Sequence, residues 1–176
     1  MELKNGDLLL RAFEDKDVPA IVETCRDPDT ARFIPHIPVP YGEQDARRYL
    51  ELTREWERDG ARLALAIADA ETDDLLGAID VRVAQEGTIG YWIRPAARNR
   101  GVATRALTLL SRWAASEGGV QRLQLTTHPD NEASQRVAEK AGFRVVGLLD
   151  RQLRFRDGSD RVVLFELDLV AAATRA

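Results

Sequence analysis

The sequence holds few of the residues that disulfide-bonded or zinc-binding proteins need. Cys25 is its one cysteine among 176 residues, so no disulfide can form within the chain. One cysteine and two histidines are also too few for the usual structural zinc sites. We therefore expect a cytoplasmic protein that binds no metal, with Cys25 on the apolar face of a helix as a core residue.

Long apolar runs and an excess of basic charge are missing as well. No stretch approaches the roughly 20 apolar residues that cross a bilayer, and the N-terminal run Leu8–Leu10 is much shorter than the core of a signal peptide. Lys and Arg number 25 against 29 Asp and Glu, and this net charge of −4 argues against a protein that binds nucleic acid through its phosphates. We predict a soluble protein with neither a membrane nor a nucleic acid as a partner.

Hydrophobic periodicity predicts one domain over residues 1–170 and a short tail over residues 171–176. The elements follow the order β-α-α-β-β-β-α-β-α-β-β, which is typical of a mixed α/β (α+β) protein. Residues 26–41 hold four prolines and are expected to form a long loop with at most one short helix. Strands are expected at 7–13, 63–67, 75–83, 88–93, 122–126, 145–149 and 163–169, and longer helices after residues 14, 43, 101 and 131.

The sharpest local feature is a turn rich in Arg and Gly between the strand Ile89–Ile93 and an amphipathic helix. The N-terminus of a helix offers free backbone N–H groups and the positive end of the helix dipole, and Gly101 and Ala103 let an anion approach closely. The pattern is neither a Walker loop nor G-x-G-x-x-G. It predicts an anion site, most simply for a pyrophosphate, although a plain turn with solvated arginines fits the spacing equally well.

The run Arg98-x-x-Gly101-x-Ala103 resembles the acyl-CoA pyrophosphate loop of the GNAT N-acetyltransferase superfamily. The later segment 131–143 resembles the N-x-x-S-x-x-x-x-E-K-x-G-F helix of the same superfamily. Ile89–Ile93 resembles the strand before the loop in the RimJ/RimL-like branch, typified by ribosomal-protein N-terminal acetyltransferases. The resemblance covers nearly the whole chain and implies a GNAT-like, mostly antiparallel central sheet flanked by helices.

This resemblance implies acetyl-CoA, or another short acyl-CoA, as co-substrate, and a primary amine as acceptor. The amine would be a protein N-terminus or a small molecule, and a homodimer is common in the branch. The edge of Ile93 would pair with the pantetheine arm, and Asn131 would contact the arm or cap its helix. The residues that the resemblance assigns to coenzyme A are Ile93, Arg98, Asn99, Arg100, Gly101, Val102, Ala103, Thr104 and Asn131.

The catalytic candidates are Ser134, His128 and Glu86. Ser134 lies one turn into the later helix, where the branch often places a hydroxyl that stabilises the departing thiolate. The general base is less well defined, because Thr88 stands where the branch often has Glu. Glu86 and His128 are the substitutes that we favour.

Asp80, on a neighbouring strand, is a further candidate base, and His36 is a candidate for lining the acceptor pocket. We expect that pocket between the proline-rich loop, the helix around Glu43–Tyr49 and the hairpin near residues 151–160. Two other functions remain open from the sequence. One is a non-catalytic acyl-CoA-binding module that has lost its base, and the other is an α/β domain that binds a different phosphate ligand.

Overall fold

The computed structural model describes residues 1–83, 87–150 and 154–169. Glu86 and the predicted tail at 171–176 therefore lie outside the described residues, as does the domain boundary at residue 170. The strands are β1 (Leu3–Asn5), β2 (Leu8–Arg11), β3 (Leu63–Asp69), β4 (Leu75–Arg82), β5 (Thr88–Ile93), β6 (Arg122–Thr127), β7 (Arg144–Asp150) and β8 (Arg161–Asp168). The helices are α1 (Val18–Arg26), α2 (Pro28–Phe33), α3 (Glu43–Arg58), α4 (Val102–Ser116) and α5 (Glu132–Lys140).

The described strands form one mixed sheet in the order β1-β2-β3-β4-β5-β6-β8-β7. β5 and β6 run parallel, and every other neighbouring pair is antiparallel. This confirms the predicted fold class and the order of the longer elements. No helix among the described residues is long and apolar enough to cross a membrane.

Helices cover both faces of the sheet, because side chains alternate along each strand. On one face Leu65 and Ile79 pack with Leu107 and Leu110 of α4. On the other face smaller residues of the same strands, such as Ala66, pack with α1 and α3. Cys25 belongs to this second cluster and is 5% exposed, as predicted for a core residue. The sheet is thus the middle layer of three.

Two local details differ from the sequence prediction, and a third, the short helix in the proline-rich stretch, agrees with it. β1 is an additional strand that pairs with β2 through a turn at Gly6 (φ 63°). The first predicted strand ends at Arg11 rather than residue 13, because the Arg11 side chain turns to pair with Asp17. The proline-rich stretch contains the short helix α2, which begins at Pro28 and is capped by the side chain of Asp27.

Candidate functional site

The central strands β5 and β6 diverge. Their parallel pairing is restricted to Thr88 opposite Gln124, next to a hydrogen bond from Gln124 N–H to the Gly87 carbonyl. Along its other edge β5 pairs with β4 over its whole length, from Thr88 to Ile93. Within the described part of the chain, the edge of β5 beyond Thr88 that faces β6 therefore has no ladder partner. Such an edge can pair with an extended ligand as a further strand would.

The loop after β5 ends in a helix N-terminus without a cap. Asn99 (φ 60°) and Gly101 (φ 71°) both adopt the left-handed conformation, which returns the chain into α4. Gly101 is the N-cap residue, and no side chain among the described residues caps α4 there. Val102 is buried and anchors the first turn, whereas Asn99 and Arg100 are exposed. The first backbone N–H groups of α4 can therefore bind an anion.

The side chain of Arg98 donates hydrogen bonds to residues at the start of α2. Its Nη2 lies 2.5 Å from Asp27 Oδ2 and 2.9 Å from Thr30 Oγ1. Partial burial alone would raise the pKa of Asp27, but hydrogen bonds from Arg98 and Thr30 outweigh it and hold the pKa below its ordinary value. The guanidinium that the sequence assigned to the phosphates thus links the loop to the start of α2.

Asn131 and Ser134 lie across the opening from β5. The side chain of Asn131 caps α5 by accepting the backbone N–H of Ser134 at 3.1 Å. The Ser134 hydroxyl lies 2.8 Å from the hydroxyl of Tyr91 on β5, so a side-chain hydrogen bond joins β5 to α5, the helix that follows β6. Burial raises the pKa of Tyr91 to about 12, although the bond to Ser134 works against this rise. Tyr91 therefore keeps its proton at neutral pH.

His128, the second catalytic candidate, is buried rather than solvated. It follows β6 directly, is 5% exposed, and its ring lies between those of Phe33 and Phe155, with centroids 5.6 and 4.7 Å away. Nδ1 accepts the backbone N–H of Asp130 at 3.0 Å, and Nε2 lies 3.1 Å from Asp157 Oδ2. The N–H of Nε2 is too oblique to this oxygen for a full hydrogen bond, so the contact is mainly one of charge with dipole.

Asp80 is the other candidate base among the described residues, and His36 is the candidate for lining the acceptor pocket. Asp80 holds Arg62 through two hydrogen bonds of 2.6 Å, and Arg62 in turn stacks over Trp56. His36 is exposed in the proline-rich stretch. Glu86 lies outside the described residues, so its role stays a prediction.

Sequence reasoning missed the partners of the predicted residues. The hydrogen bond between Tyr91 and Ser134 joins residues 43 positions apart, and the bond between Arg98 and Asp27 joins residues 71 apart. Tyr91 stood inside the quoted motif, but alternation along β5 only indicated which face of the sheet it takes. A single sequence carries no signal that Tyr91 and Ser134 are in contact.

Comparisons with known proteins place the chain among acetyltransferases. The family described as acetyltransferase (GNAT) domain matches residues 7–144. The uncharacterized N-acetyltransferase YnaD of Bacillus subtilis (strain 168) is 29% identical over 154 residues, which are 86% of this chain and 87% of YnaD.

Two solved structures share the fold. One is RimL, a ribosomal L7/L12 alpha-N-protein acetyltransferase, in complex with coenzyme A; its TM-score is 0.85 at 17% identity, over 96% of this chain and 98% of RimL. The other is Mycobacterium smegmatis RimJ in complex with CoA-disulfide, with a TM-score of 0.81 at 20% identity, over 99% of this chain and 94% of that one.

Proposed function

The chain belongs to the acetyltransferase (GNAT) domain family and is an N-acetyltransferase, and from that premise we propose that it transfers acetyl from acetyl-CoA to a primary amine while both are bound. The observation that carries the proposal is the divergence of β5 from β6 beside the uncapped N-terminus of α4. An unpaired strand edge suits the amides of a pantetheine arm, and a helix N-terminus suits a pyrophosphate.

The residues around the opening fit this donor. When bound, acetyl-CoA supplies the acetyl thioester. Backbone N–H groups from Val102 to Thr104 would hold the pyrophosphate, and the exposed Arg100 would add positive charge. The backbone of β5 near Ile93 would align the pantetheine arm, and an N–H there would polarise the thioester carbonyl.

Ser134 is the predicted catalytic residue whose contacts fit its role best. The hydroxyls of Tyr91 and Ser134 are 2.8 Å apart and either can donate, and the Tyr91 hydroxyl also lies 3.3 Å from the Ser134 carbonyl. In the arrangement that we propose, Tyr91 keeps its proton and donates it to the Ser134 hydroxyl. The proton of Ser134 is then left to point toward the thiolate that departs, which it would stabilise by hydrogen bonding rather than by full proton transfer. Tyr91 thus acts on the reaction through Ser134.

Proton removal from the amine is assigned to Glu86 and to solvent. His128 lacks a free acceptor nitrogen, because Nδ1 already accepts the N–H of Asp130, and Asp80 is held by Arg62. RimL, which shares the fold, carries an alpha-N-protein acetyltransferase name. A protein N-terminus is therefore our first candidate acceptor, with a small-molecule amine as the alternative.

The donor site is tested by thermal unfolding with acetyl-CoA, coenzyme A, ATP or NAD. A ligand at 100 times its dissociation constant stabilises the protein by roughly 2.7 kcal/mol, and we expect this only from the two CoA species. Gly101→Glu places a carboxylate against the bound pyrophosphate and should abolish the shift. Gly101→Gln is the matched control, because it carries the same strain at φ 71° without the charge.

Three outcomes of this titration separate the explanations. Stabilisation retained in Gly101→Gln and lost in Gly101→Glu supports the phosphate site. An equal loss in both variants assigns the effect to backbone strain and contradicts it. A shift with ATP but none with coenzyme A would contradict the proposed donor.

The acceptor is identified by the release of free thiol from acetyl-CoA. Peptides with different N-terminal residues are compared with polyamines and amino-acid derivatives at equal concentration. Turnover of small amines alone would contradict a protein N-terminus as the acceptor.

A further inference from the structure

His128 contacts the turn that leads into α5 and, on its other side, α2 and the connection between β7 and β8. Its carbonyl accepts the backbone N–H of Asn131 at 2.9 Å, and its Nδ1 accepts that of Asp130 at 3.0 Å. The carbonyl oxygen and Nδ1 of His128 therefore both stabilise the turn that leads into α5. Since this turn sets the positions of Asn131 and Ser134, His128 determines where the Ser134 hydroxyl meets Tyr91.

The rest of the ring faces the segments expected to line the acceptor pocket. Its edge packs against Phe155, in the connection between β7 and β8, and its other side lies near Phe33 of α2. Nε2 lies 3.1 Å from Asp157, whose pKa is lowered first by the backbone N–H of Ser159 and then by the neighbouring His128 ring and the charge of Arg32. The imidazole thus ties this connection and α2 to the end of β6.

The hydrogen bond from Asp130 determines which nitrogen carries the ring proton. A nitrogen that accepts an N–H uses its lone pair, so in the neutral ring the proton is on Nε2. This arrangement leaves no lone pair for the proton of an acceptor amine.

The same arrangement argues against a metal centre at His128, Asp130 and Asp157, although their ligand atoms lie within 4.8 Å of one another. A metal on Nε2 would require a proton on Nδ1, which would then face the N–H of Asp130. Arg32 also donates to Asp130 and faces Asp157, so it already compensates both carboxylates.

We propose that His128 is a positioning residue whose two nitrogens act on different substrates: Nδ1 sets the turn that presents Ser134 to the donor thiol, and Nε2 with the ring faces sets the wall that receives the acceptor. This inference rests on the proposed function. This positioning role explains why His128 is buried next to the site although it does not act as the base.

Two substitutions separate the nitrogens. His128→Asn keeps an oxygen where Nδ1 lies and removes the ring, so the turn is retained and the acceptor wall is lost. His128→Gln places an amide N–H near the position of Nε2 and loses the acceptor for Asp130. His128→Ala removes both the acceptor for Asp130 and the ring. It therefore shows the effect on kcat and KM when both roles of His128 are lost.

The kinetic test uses acetyl-CoA and the amine found in the acceptor screen. We expect His128→Asn to keep kcat within about twofold and to raise the acceptor KM about three- to tenfold, as for the loss of one aromatic contact. His128→Gln should show the reverse, with kcat lowered and the acceptor KM nearly retained. If both variants lose kcat as fully as His128→Ala, and the acidic limb of the pH–rate profile disappears in all three, His128 is the proton acceptor and the proposal is wrong.

The donor half of the proposal is tested without any acceptor. Long-range ¹H–¹⁵N NMR spectra of the wild type should show a protonated Nε2 and an unprotonated Nδ1. The backbone amide signals of Asn131 and Ser134 should stay in place in His128→Asn and shift in His128→Gln. A protonated Nδ1, or equal shifts in both variants, would overturn the proposal even if no amine is turned over, whereas the absence of turnover alone bears on the proposed function.

Discussion

The hydroxyl of Ser134 depends on a partner for its direction. A serine hydroxyl rotates freely unless a hydrogen bond fixes it. Tyr91 lies on the opposite side of the opening, is half-buried and keeps its proton. In the proposed arrangement it donates to the Ser134 oxygen rather than to the Ser134 carbonyl 3.3 Å away, and so occupies one acceptor position of that oxygen. The proton of Ser134 is then directed away from Tyr91 and toward the opening. At the scale of single residues, the role that we propose for Ser134 therefore depends on this pair rather than on Ser134 alone.

Removal of the Tyr91 hydroxyl should therefore slow the reaction through Ser134. We expect Tyr91→Phe to lower kcat about three- to tenfold, which corresponds to roughly one hydrogen bond, with the KM for acetyl-CoA unchanged. In a Ser134→Ala background the same substitution should have no further effect on kcat. The measurement is initial thiol release for the four proteins of this double-mutant cycle.

Tyr49→Phe is the matched control, because it removes the hydroxyl of a partly buried tyrosine of α3, on the other face of the sheet. It should leave kcat unchanged. Additive effects of Tyr91→Phe and Ser134→Ala on the logarithm of kcat would show that Tyr91 acts independently of Ser134.

At the scale of elements, the sequence predicted those whose apolar residues repeat regularly. β3 and β8 alternate, and α4 repeats its apolar residues at three and four, so each was placed within two or three residues. β1 was missed because two of its three residues are polar and it depends on pairing with β2. The divergence of β5 from β6 is a matter of backbone register, which side-chain periodicity does not report.

The junction between β2 and α1 depends on a buried ion pair that periodicity also does not show. Arg11 is 4% exposed and donates two hydrogen bonds, of 2.8 and 3.0 Å, to Asp17, which is 2% exposed. The bonds to Asp17 raise the pKa of Arg11, and its charge is retained. The removal of the Asp17 charge would leave the buried Arg11 with Asp73, at 2.6 Å, as its one remaining carboxylate among the described residues.

Asp17→Asn should therefore lower the free energy of unfolding by about 3–5 kcal/mol, the usual cost of breaking a buried pair on one side. Urea unfolding followed by circular dichroism measures this change. Asp15→Asn, two residues away and exposed, pairs with Arg54 at 3.3 Å and should cost less than about 1 kcal/mol. Equal losses in the two variants would show that burial does not determine the strength of the Arg11–Asp17 pair.

At the scale of the whole molecule, the net charge of −4 does not show that many carboxylates are paired with positive charges or hydrogen-bond donors. Arginines and lysines hold some of them, and backbone N–H groups hold others. Composition could predict the total charge but not these pairings, because partners such as Arg105 and Asp7 are 98 positions apart. The aspartates whose pKa lies below the ordinary value are Asp7, Asp27, Asp69, Asp73 and Asp157.

These lowered pKa values predict a loss of stability in acid. A carboxyl group with a lower pKa in the folded protein stabilises it above the unfolded value of about 3.9 and loses this effect as the pH falls through the folded value. The free energy of unfolding should therefore decrease below about pH 4, because the unfolded chain binds more protons. Urea unfolding at pH 7, 5, 4 and 3 measures this dependence.

Asp73→Asn tests one member of the set. Hydrogen bonds from Lys16 and then Arg11 lower the pKa of Asp73, and asparagine tolerates its left-handed φ of 61°. The variant should be less stable than the wild type at pH 7, where the charge of Asp73 contributes. The difference should narrow between pH 5 and pH 3, because the carboxyl of the unfolded chain takes up its proton at a higher pH than Asp73 does in the folded protein. A difference of equal size at both pH values would contradict this assignment and indicate that Asp73 acts through its shape alone.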